Sequence, residues 1–182
     1  MTLIVNLYGA PGSGKSTTRA DIFRQLKSAG INCEEVYETA KKLTWAKRDK
    51  ELTCQPYIFA KQLRDIEVLL GQVDVIITDS PLLLARYYTN KYSPGKYPNS
   101  FLNLVAEQSE MFENLNYFID RTAVYNPSGR NQTEDQANAV GHELLSMLDE
   151  LGVSYKRMPG QEGTADIIVD DILFKIAHLG EK

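Results

Sequence analysis

Apolar positions along this chain fall into short continuous runs that alternate with stretches of helical periodicity. The short runs, rich in β-branched residues, predict strands at residues 2–8, 32–37, 73–78, 115–119 and 153–157. The periodic stretches predict helices at residues 15–29, 39–48, 55–71, 82–89, 100–113, 133–151 and 164–179. This alternation is typical of an α/β fold, in which a five-stranded parallel sheet is covered by helices on both faces.

The first predicted strand is followed by a glycine-rich turn with a complete phosphate-binding pattern. Residues 9–17 read GAPGSGKST and fill every fixed position of G-x-x-x-x-G-K-[ST] between a strand and a helix. Such a loop turns its backbone N–H groups toward phosphate oxygens, and the helix adds its positive N-terminal end. Lys15 supplies a cation for the β- and γ-phosphates, and the Ser16 hydroxyl is an oxygen ligand for Mg²⁺. The residues expected to bind ATP are Gly9, Ala10, Pro11, Gly12, Ser13, Gly14, Lys15, Ser16 and Thr17.

Composition indicates a single globular domain over residues 1–182, with 43% hydrophobic and 24% charged residues. No apolar stretch approaches the roughly 20 residues of a membrane span, and the strand at the start of the chain argues against a cleavable signal. Cys33 and Cys54 lack metal-site spacing, so a reduced, cytoplasmic protein is expected. The net charge of −4 favours small-molecule substrates over long nucleic acids, although a local basic cleft can lie within an acidic total.

Two carboxylates follow predicted strands at the edge where the phosphate loop lies. Asp79 comes directly after the third strand, where an acid can bind Mg²⁺ or grip an acceptor; the structural alternative is a helix N-cap. Glu38 follows the second strand, where a carboxylate can accept the proton of an attacking hydroxyl. Glu35 is a weaker candidate for the same role.

A polar loop with two arginines follows the fourth predicted strand. Guanidinium groups on such a loop can close over a phosphoryl group in transfer and neutralise its charge. We therefore predict a lid at residues 121–131 in which Arg121, Arg130 or both are catalytic. The alternative is a solvated polar loop.

Three further side chains are candidates for the acceptor site. Gln62, within a predicted helix, could bind a base with two hydrogen bonds, although a surface glutamine is the more common case. Arg86 and Tyr88 belong to a segment, residues 86–97, that mixes aromatic and basic residues. This composition suits base stacking beside a phosphate backbone, and a tyrosine-rich cap over an acceptor pocket fits it equally well.

Several short segments together resemble known proteins over nearly the whole chain. These are GAPGSGKS at 9–16, YE at 37–38, TDSPL at 78–82 and NPSGRNQTED at 126–135. They are similar to small phage-encoded P-loop proteins described as ATPases or nucleotide kinases. More distantly, the chain resembles the ribosylnicotinamide kinase domain and nucleoside and nucleoside monophosphate kinases.

This resemblance implies a three-layer P-loop NTPase fold with an arginine-bearing lid, and a base that corresponds to Glu38. The chain has Asp-Ser-Pro after its third strand rather than Asp-Arg-Tyr or Glu-Arg-Ser, so the acceptor stays open. We expect an ATP- and Mg²⁺-dependent kinase that acts on a hydroxyl or phosphate of a nucleoside- or nucleotide-like small molecule. The alternatives are a kinase that acts on nucleic acid, at a 5′ end or a hydroxymethylated base, and a regulatory ATPase without transfer activity.

Overall fold

The computed structural model describes residues 1–124 and 133–179. Within these ranges the strands are β1 (Leu3–Tyr8), β2 (Cys33–Val36), β3 (Val75–Thr78), β4 (Glu113–Asp120) and β5 (Lys156–Pro159). The helices there are α1 (Lys15–Ser28), α2 (Thr39–Trp45), α3 (Asp49–Leu52), α4 (Gln55–Glu67), α5 (Leu84–Tyr92), α6 (Asn99–Glu110), α7 (Glu134–Glu150) and α8 (Thr164–Leu179).

The described strands form one sheet in the order β2-β3-β1-β4-β5, and every neighbouring pair is parallel. β1 lies in the centre of the sheet, and all six of its residues are buried. A strand that is covered on both faces has a continuous run of apolar residues. Residues 3–8 form such a run, in which Asn6 is the exception. The predicted five-stranded parallel α/β sheet is confirmed.

Two hydrophobic layers separate the sheet from its helices. On one face, Leu3, Val5 and Leu7 of β1 pack with residues of α1 and α8. On the other face, Ile4 and Tyr8 pack with residues of α4, α5, α6 and α7. The three-layer arrangement is therefore confirmed, and none of the helices in the described ranges is long and apolar enough to cross a membrane.

Most predicted boundaries agree with the structure to within two residues, and larger differences occur at the ends of α2, α4, α5 and α6 and at the start of β5. The helix predicted at 39–48 ends at Trp45, because Lys47 adopts a left-handed φ of 54° that turns the chain toward α3. The helix predicted at 82–89 runs instead from Leu84 to Tyr92, since hydrogen-bonded turns occupy the residues after Pro81. β5 lies three residues later than predicted, because Val153 still closes the end of α7.

Two local features complete the fold. Thr133 and Gln136 form the reciprocal capping box that begins α7. Cys33 is fully buried in the layer beneath α1, and burial raises the pKa of its thiol. A thiol in such surroundings is an apolar filler rather than a nucleophile.

Candidate active site

The phosphate loop connects β1 to α1 in a shape that requires glycine at its first position. Gly9 has a φ of 144°, and a Cβ there would lie 2.4 Å from the carbonyl oxygen of Ile119 and 2.7 Å from Ser13 Oγ. Lys15 arches back over the loop, and its Nζ donates to the carbonyl oxygens of Gly9 at 2.8 Å and Ala10 at 2.9 Å. The ammonium group therefore lies directly above the backbone that would surround a phosphate.

Ser13, at the tip of the loop, is buried, and its hydroxyl has no hydrogen-bond partner within the described part of the chain. A buried hydroxyl without a partner is costly, and binding of a polar ligand would remove that cost. The buried Ser13 hydroxyl is therefore consistent with a loop that binds an anion.

The turn after β5 packs directly on the phosphate loop through Gly160. A Cβ on Gly160 would lie 2.0 Å from the carbonyl oxygen of Ser13 and 2.8 Å from that of Asp120. The Gly160 N–H donates to the Asp120 carbonyl at 2.7 Å, which fixes the turn to the end of β4. The role of Gly160 could not be predicted from the sequence, because no local pattern reports a contact between segments so far apart in the chain.

A buried polar network joins α1 to the end of β3. Ser16 Oγ donates to Asp79 Oδ2 at 2.6 Å, and Arg19 Nη1 donates to Asp79 Oδ1 at 2.6 Å. Burial alone would lower the pKa of Arg19, but the carboxylates of Asp79 and Glu35 outweigh it and raise that pKa. Asp79 thus lies beside the phosphate loop as predicted, and it is not a helix N-cap, since α5 begins only at Leu84.

Glu35 belongs to the same network, so its carboxylate is not available to act as the base. Arg19 Nε donates to Glu35 Oε1 at 2.7 Å, and the Tyr37 hydroxyl donates to Glu35 Oε2 at 3.0 Å. The Arg19 guanidinium also lies 4.4 Å from the centroid of the Tyr37 ring. Both oxygens of Glu35 are therefore engaged.

Arg19 was missed from the sequence although a signal was present. It lies three residues after Ser16, so both side chains project from the same face of α1 toward the sheet edge. A buried arginine at this spacing needs acidic partners, and the ends of β2 and β3 supply Glu35 and Asp79.

Glu38 occupies the N-cap position of α2 but makes no side-chain capping hydrogen bond, and it lines the same cavity as the phosphate loop. Burial raises the pKa of Glu38; the Lys15 ammonium opposes the rise, and the Asp79 carboxylate adds to it. Burial and the nearby Glu38 carboxylate likewise raise the pKa of the Tyr88 hydroxyl. Glu38, Lys15, Asp79 and Tyr88 thus face one enclosed space.

This space is a cavity of about 810 Å³ that extends from the phosphate loop to a chamber, the part of the cavity lined by residues of α4 and α5. Phe59 and Tyr88 contribute aromatic walls to the chamber, and Gln62 lies among its lining residues. Gln62 is 3% exposed; its Oε1 accepts from Thr39 Oγ1 and its Nε2 donates to Thr78 Oγ1, both at 3.3 Å. The structure therefore replaces the surface-glutamine alternative with a buried amide at the cavity wall.

The predicted arginines are not brought together. Arg86 donates to the Leu102 carbonyl at 3.1 Å and is not among the described residues that line the cavity. Arg121 follows β4, where its Nη2 donates to Glu134 Oε1 at 3.2 Å and to Asn138 Oδ1. Arg130 and most of the predicted lid at 121–131 lie outside the described residues.

Ser16 and Asp79 also form the set of oxygen donors that Mg²⁺ prefers. The hydroxyl and carboxylate already lie in contact, beside the loop that would carry the phosphates. The residues present therefore fit a magnesium ion, with Ser16 as a ligand and Asp79 as a ligand or an acceptor for its waters.

Comparison with known families and structures agrees with this geometry. Residues 4–165 match one family, described as AAA domain, from the second residue of β1 into the start of α8. The chain belongs to this AAA domain family. A comparison with curated proteins finds no match.

Among solved structures, the YorR protein of Bacillus subtilis in complex with phosphorylated GDP is similar to this chain. The alignment has a TM-score of 0.59 and 15% identity, and it covers 100% of this chain and 99% of that one. At this identity the likeness concerns the fold, and it supports a P-loop NTPase-like α/β architecture.

Proposed function

We propose that this protein transfers the γ-phosphoryl group of ATP, in the presence of Mg²⁺, to a hydroxyl or phosphate of a nucleoside- or nucleotide-like acceptor. The observation that carries the proposal is the continuous cavity in which Lys15 and Glu38 face the same space. The same cavity includes the chamber with Phe59, Gln62 and Tyr88 in its walls. An enzyme that only hydrolyses ATP, or a nucleotide switch, has no need of such a chamber.

In this proposal the phosphate loop and Lys15 bind the triphosphate, and Ser16 and Asp79 would hold Mg²⁺. The ion, when bound, neutralises negative charge on the phosphate oxygens. Arg19 orients Asp79 from the opposite side, with Nη1 2.6 Å from Oδ1. Lys15, Ser16 and Arg19 lie on α1, and Asp79 directly follows β3.

Glu38 is the proposed base for a hydroxyl acceptor. The acceptor oxygen forms a bond to the γ-phosphorus while the bond from that phosphorus to the β–γ bridging oxygen breaks, and ADP leaves. The hydroxyl proton passes to the Glu38 carboxylate, whose raised pKa makes it a better proton acceptor than an ordinary glutamate. Arg121 and Arg130 remain the proposed lid residues, since Arg121 directly follows the strand beside β1.

The test is ADP formation from Mg·ATP in the presence of nucleosides, nucleoside monophosphates, nicotinamide riboside and a single-stranded oligonucleotide, each added separately. At least one acceptor should raise turnover well above the rate without acceptor. Lys15→Ala should abolish this transfer and retain the fold, while Lys61→Ala, a surface control on α4, should behave as the parent. Turnover that is independent of every acceptor, or an undiminished rate in Lys15→Ala, would overturn the proposal.

A further inference from the structure

The positive charge of this acidic protein is concentrated in one short exposed segment. Residues 41–50, which span most of α2 and the start of α3, contain five of the 20 Lys and Arg residues and one of the 24 Asp and Glu residues. The remaining chain therefore has 15 cations against 23 acids. All five cations are exposed: Lys41, Lys42, Lys47, Arg48 and Lys50; of these, Arg48 pairs with Glu51, the residue that follows the segment.

The α2 part of this basic segment borders the acceptor cavity, and Lys41 is the one of its five cations among the described residues that line it. Lys41 and Trp45 line the cavity mouth, and Trp45 is 70% exposed. Lys91 and Tyr92 line it from α5, and Tyr92 is 55% exposed. The Tyr92 ring stacks on Tyr88 at 5.9 Å with 12° between the planes, so the aromatic surface continues inward.

We propose that this mouth binds single-stranded nucleic acid, and that the acceptor nucleotide enters the chamber while still attached to its strand. The inference rests on the proposed phosphotransferase function and names its acceptor. Cations that follow a phosphate backbone, combined with exposed aromatic faces, are the features by which proteins bind single strands. The net negative charge of the chain favours small-molecule substrates, but a bound strand would interact with the local positive charge of residues 41–50.

Other anionic partners fit the segment less well. Insertion into a membrane surface needs an apolar helix face beside the cations. Leu43 is buried in the protein, and Trp45 is the one exposed large apolar side chain of residues 41–50. An acidic peptide would use the cations but offers no bases to stack on Trp45 and Tyr92.

The binding test uses an oligodeoxythymidylate of about twelve nucleotides, within the site sizes of small single-strand-binding domains. Trp45 is the only tryptophan of the chain, so its fluorescence reports occupancy of the mouth. The oligonucleotide should quench this fluorescence, and its affinity should fall steeply with added salt, with a slope of about −0.7 per phosphate contacted. Polyglutamate of similar charge should bind more weakly and leave Trp45 unquenched.

Variants separate charge from stacking. Lys47→Gln/Lys50→Gln should reduce the magnitude of the salt slope by about 1.4 and weaken binding roughly tenfold. The control Lys156→Gln/Lys175→Gln removes an exposed lysine on β5 and a half-buried lysine on α8, each in a salt bridge, and should leave the affinity unchanged. Trp45→Ala, followed by anisotropy of a labelled oligonucleotide, should weaken binding roughly tenfold or more.

The outcomes distinguish this inference from the proposed function. A flat salt response, equal binding of polyglutamate, or equal effects of the two lysine pairs would overturn the inference, even if free nucleosides are phosphorylated. Tight, salt-dependent binding with transfer of labelled phosphate from ATP to the oligonucleotide would support both. Binding of the same kind without transfer to any acceptor would support the docking surface and overturn the phosphotransferase.

Discussion

Arg19 and Asp79 form a buried ion pair, with Arg19 Nη1 2.6 Å from Asp79 Oδ1, immediately beside the phosphate loop. The other oxygen of Asp79 accepts from Ser16, and the other side of the Arg19 guanidinium contacts Glu35. Four polar groups thus satisfy one another between α1, β2 and the end of β3. An ion pair so enclosed contributes mainly by fixing the orientation of Asp79, because its desolvation offsets much of its attraction.

Removing one partner of this pair should therefore lower the free energy of unfolding more than removing both partners. Arg19→Met leaves the Asp79 carboxylate buried without its cation, and we expect the free energy of unfolding to fall by about 3–5 kcal/mol. The double variant Arg19→Met/Asp79→Asn should be more stable than Arg19→Met alone. Urea unfolding of the parent, both single variants and the double variant measures the coupling. Additive losses would show that the two residues do not act as a pair.

Glu38→Gln tests the proposed base. The amide keeps the size of the side chain but cannot take a proton, so transfer to a hydroxyl acceptor should slow by roughly 10²–10⁴-fold with ATP affinity unchanged. Burial raises the pKa of Glu38, and the base acts only when ionised. The acid limb of kcat/KM against pH should therefore lie above the ordinary glutamate value of about 4.3, and Glu38→Gln should remove it.

The same substitution has a consequence for stability with a definite sign. A raised pKa in the folded protein means that folding disfavours the ionised carboxylate, so Glu38 destabilises the fold at pH 7 relative to acidic pH. Glu38→Gln should unfold at an equal or higher temperature than the parent at pH 7. A lower melting temperature would contradict the burial of an ionised Glu38.

Gly160→Ala tests the contact between the last strand and the phosphate loop. A methyl group there would overlap the Ser13 carbonyl, which a Cβ would approach to 2.0 Å. The loop must shift, and we expect ATP to bind at least roughly tenfold more weakly, with a stability loss of about 1–3 kcal/mol. Gly30→Ala is the control, because its Cβ meets nothing within 4 Å; it should lose some stability through its left-handed φ and keep its ATP affinity. Equal ATP affinities in both variants would refute the role of this contact.

Arg86 and Tyr88, two residues apart on α5, should respond differently to substitution. Tyr88 lines the cavity, so Tyr88→Leu should raise the KM for the acceptor by about tenfold while ATP binding is unchanged. Arg86 bonds the Leu102 carbonyl, so Arg86→Met should cost about 1 kcal/mol of stability and leave that KM unchanged. Steady-state kinetics with the best acceptor of the panel makes the comparison. An acceptor KM that rises in Arg86→Met would return Arg86 to the acceptor site.

Local patterns explain which features could be predicted from the sequence. The phosphate loop, the capping box at Thr133 and the alternation of strands with helices are each encoded within a few neighbouring residues. The direction of a side chain around a helix depends on packing, which is why Arg86 could not be separated from Tyr88 by composition. The ion pair of Arg19 and the approach of Gly160 join distant segments; the spacing from Ser16 places Arg19 on the right face of α1, but it does not identify Asp79 and Glu35 as its partners.

The placement of β1 in the middle of the sheet has a consequence for the synthesis of the protein. β1 is made before the other strands of the sheet, yet its neighbours are β3 and β4, whose residues are made later. The turn that supports Ser13 follows β5, the fifth strand in chain order. A nascent chain that ends before β5 would therefore contain the whole phosphate loop without the folded site around it, and nucleotide binding should begin only after β5 and the turn at Gly160 have emerged from the ribosome.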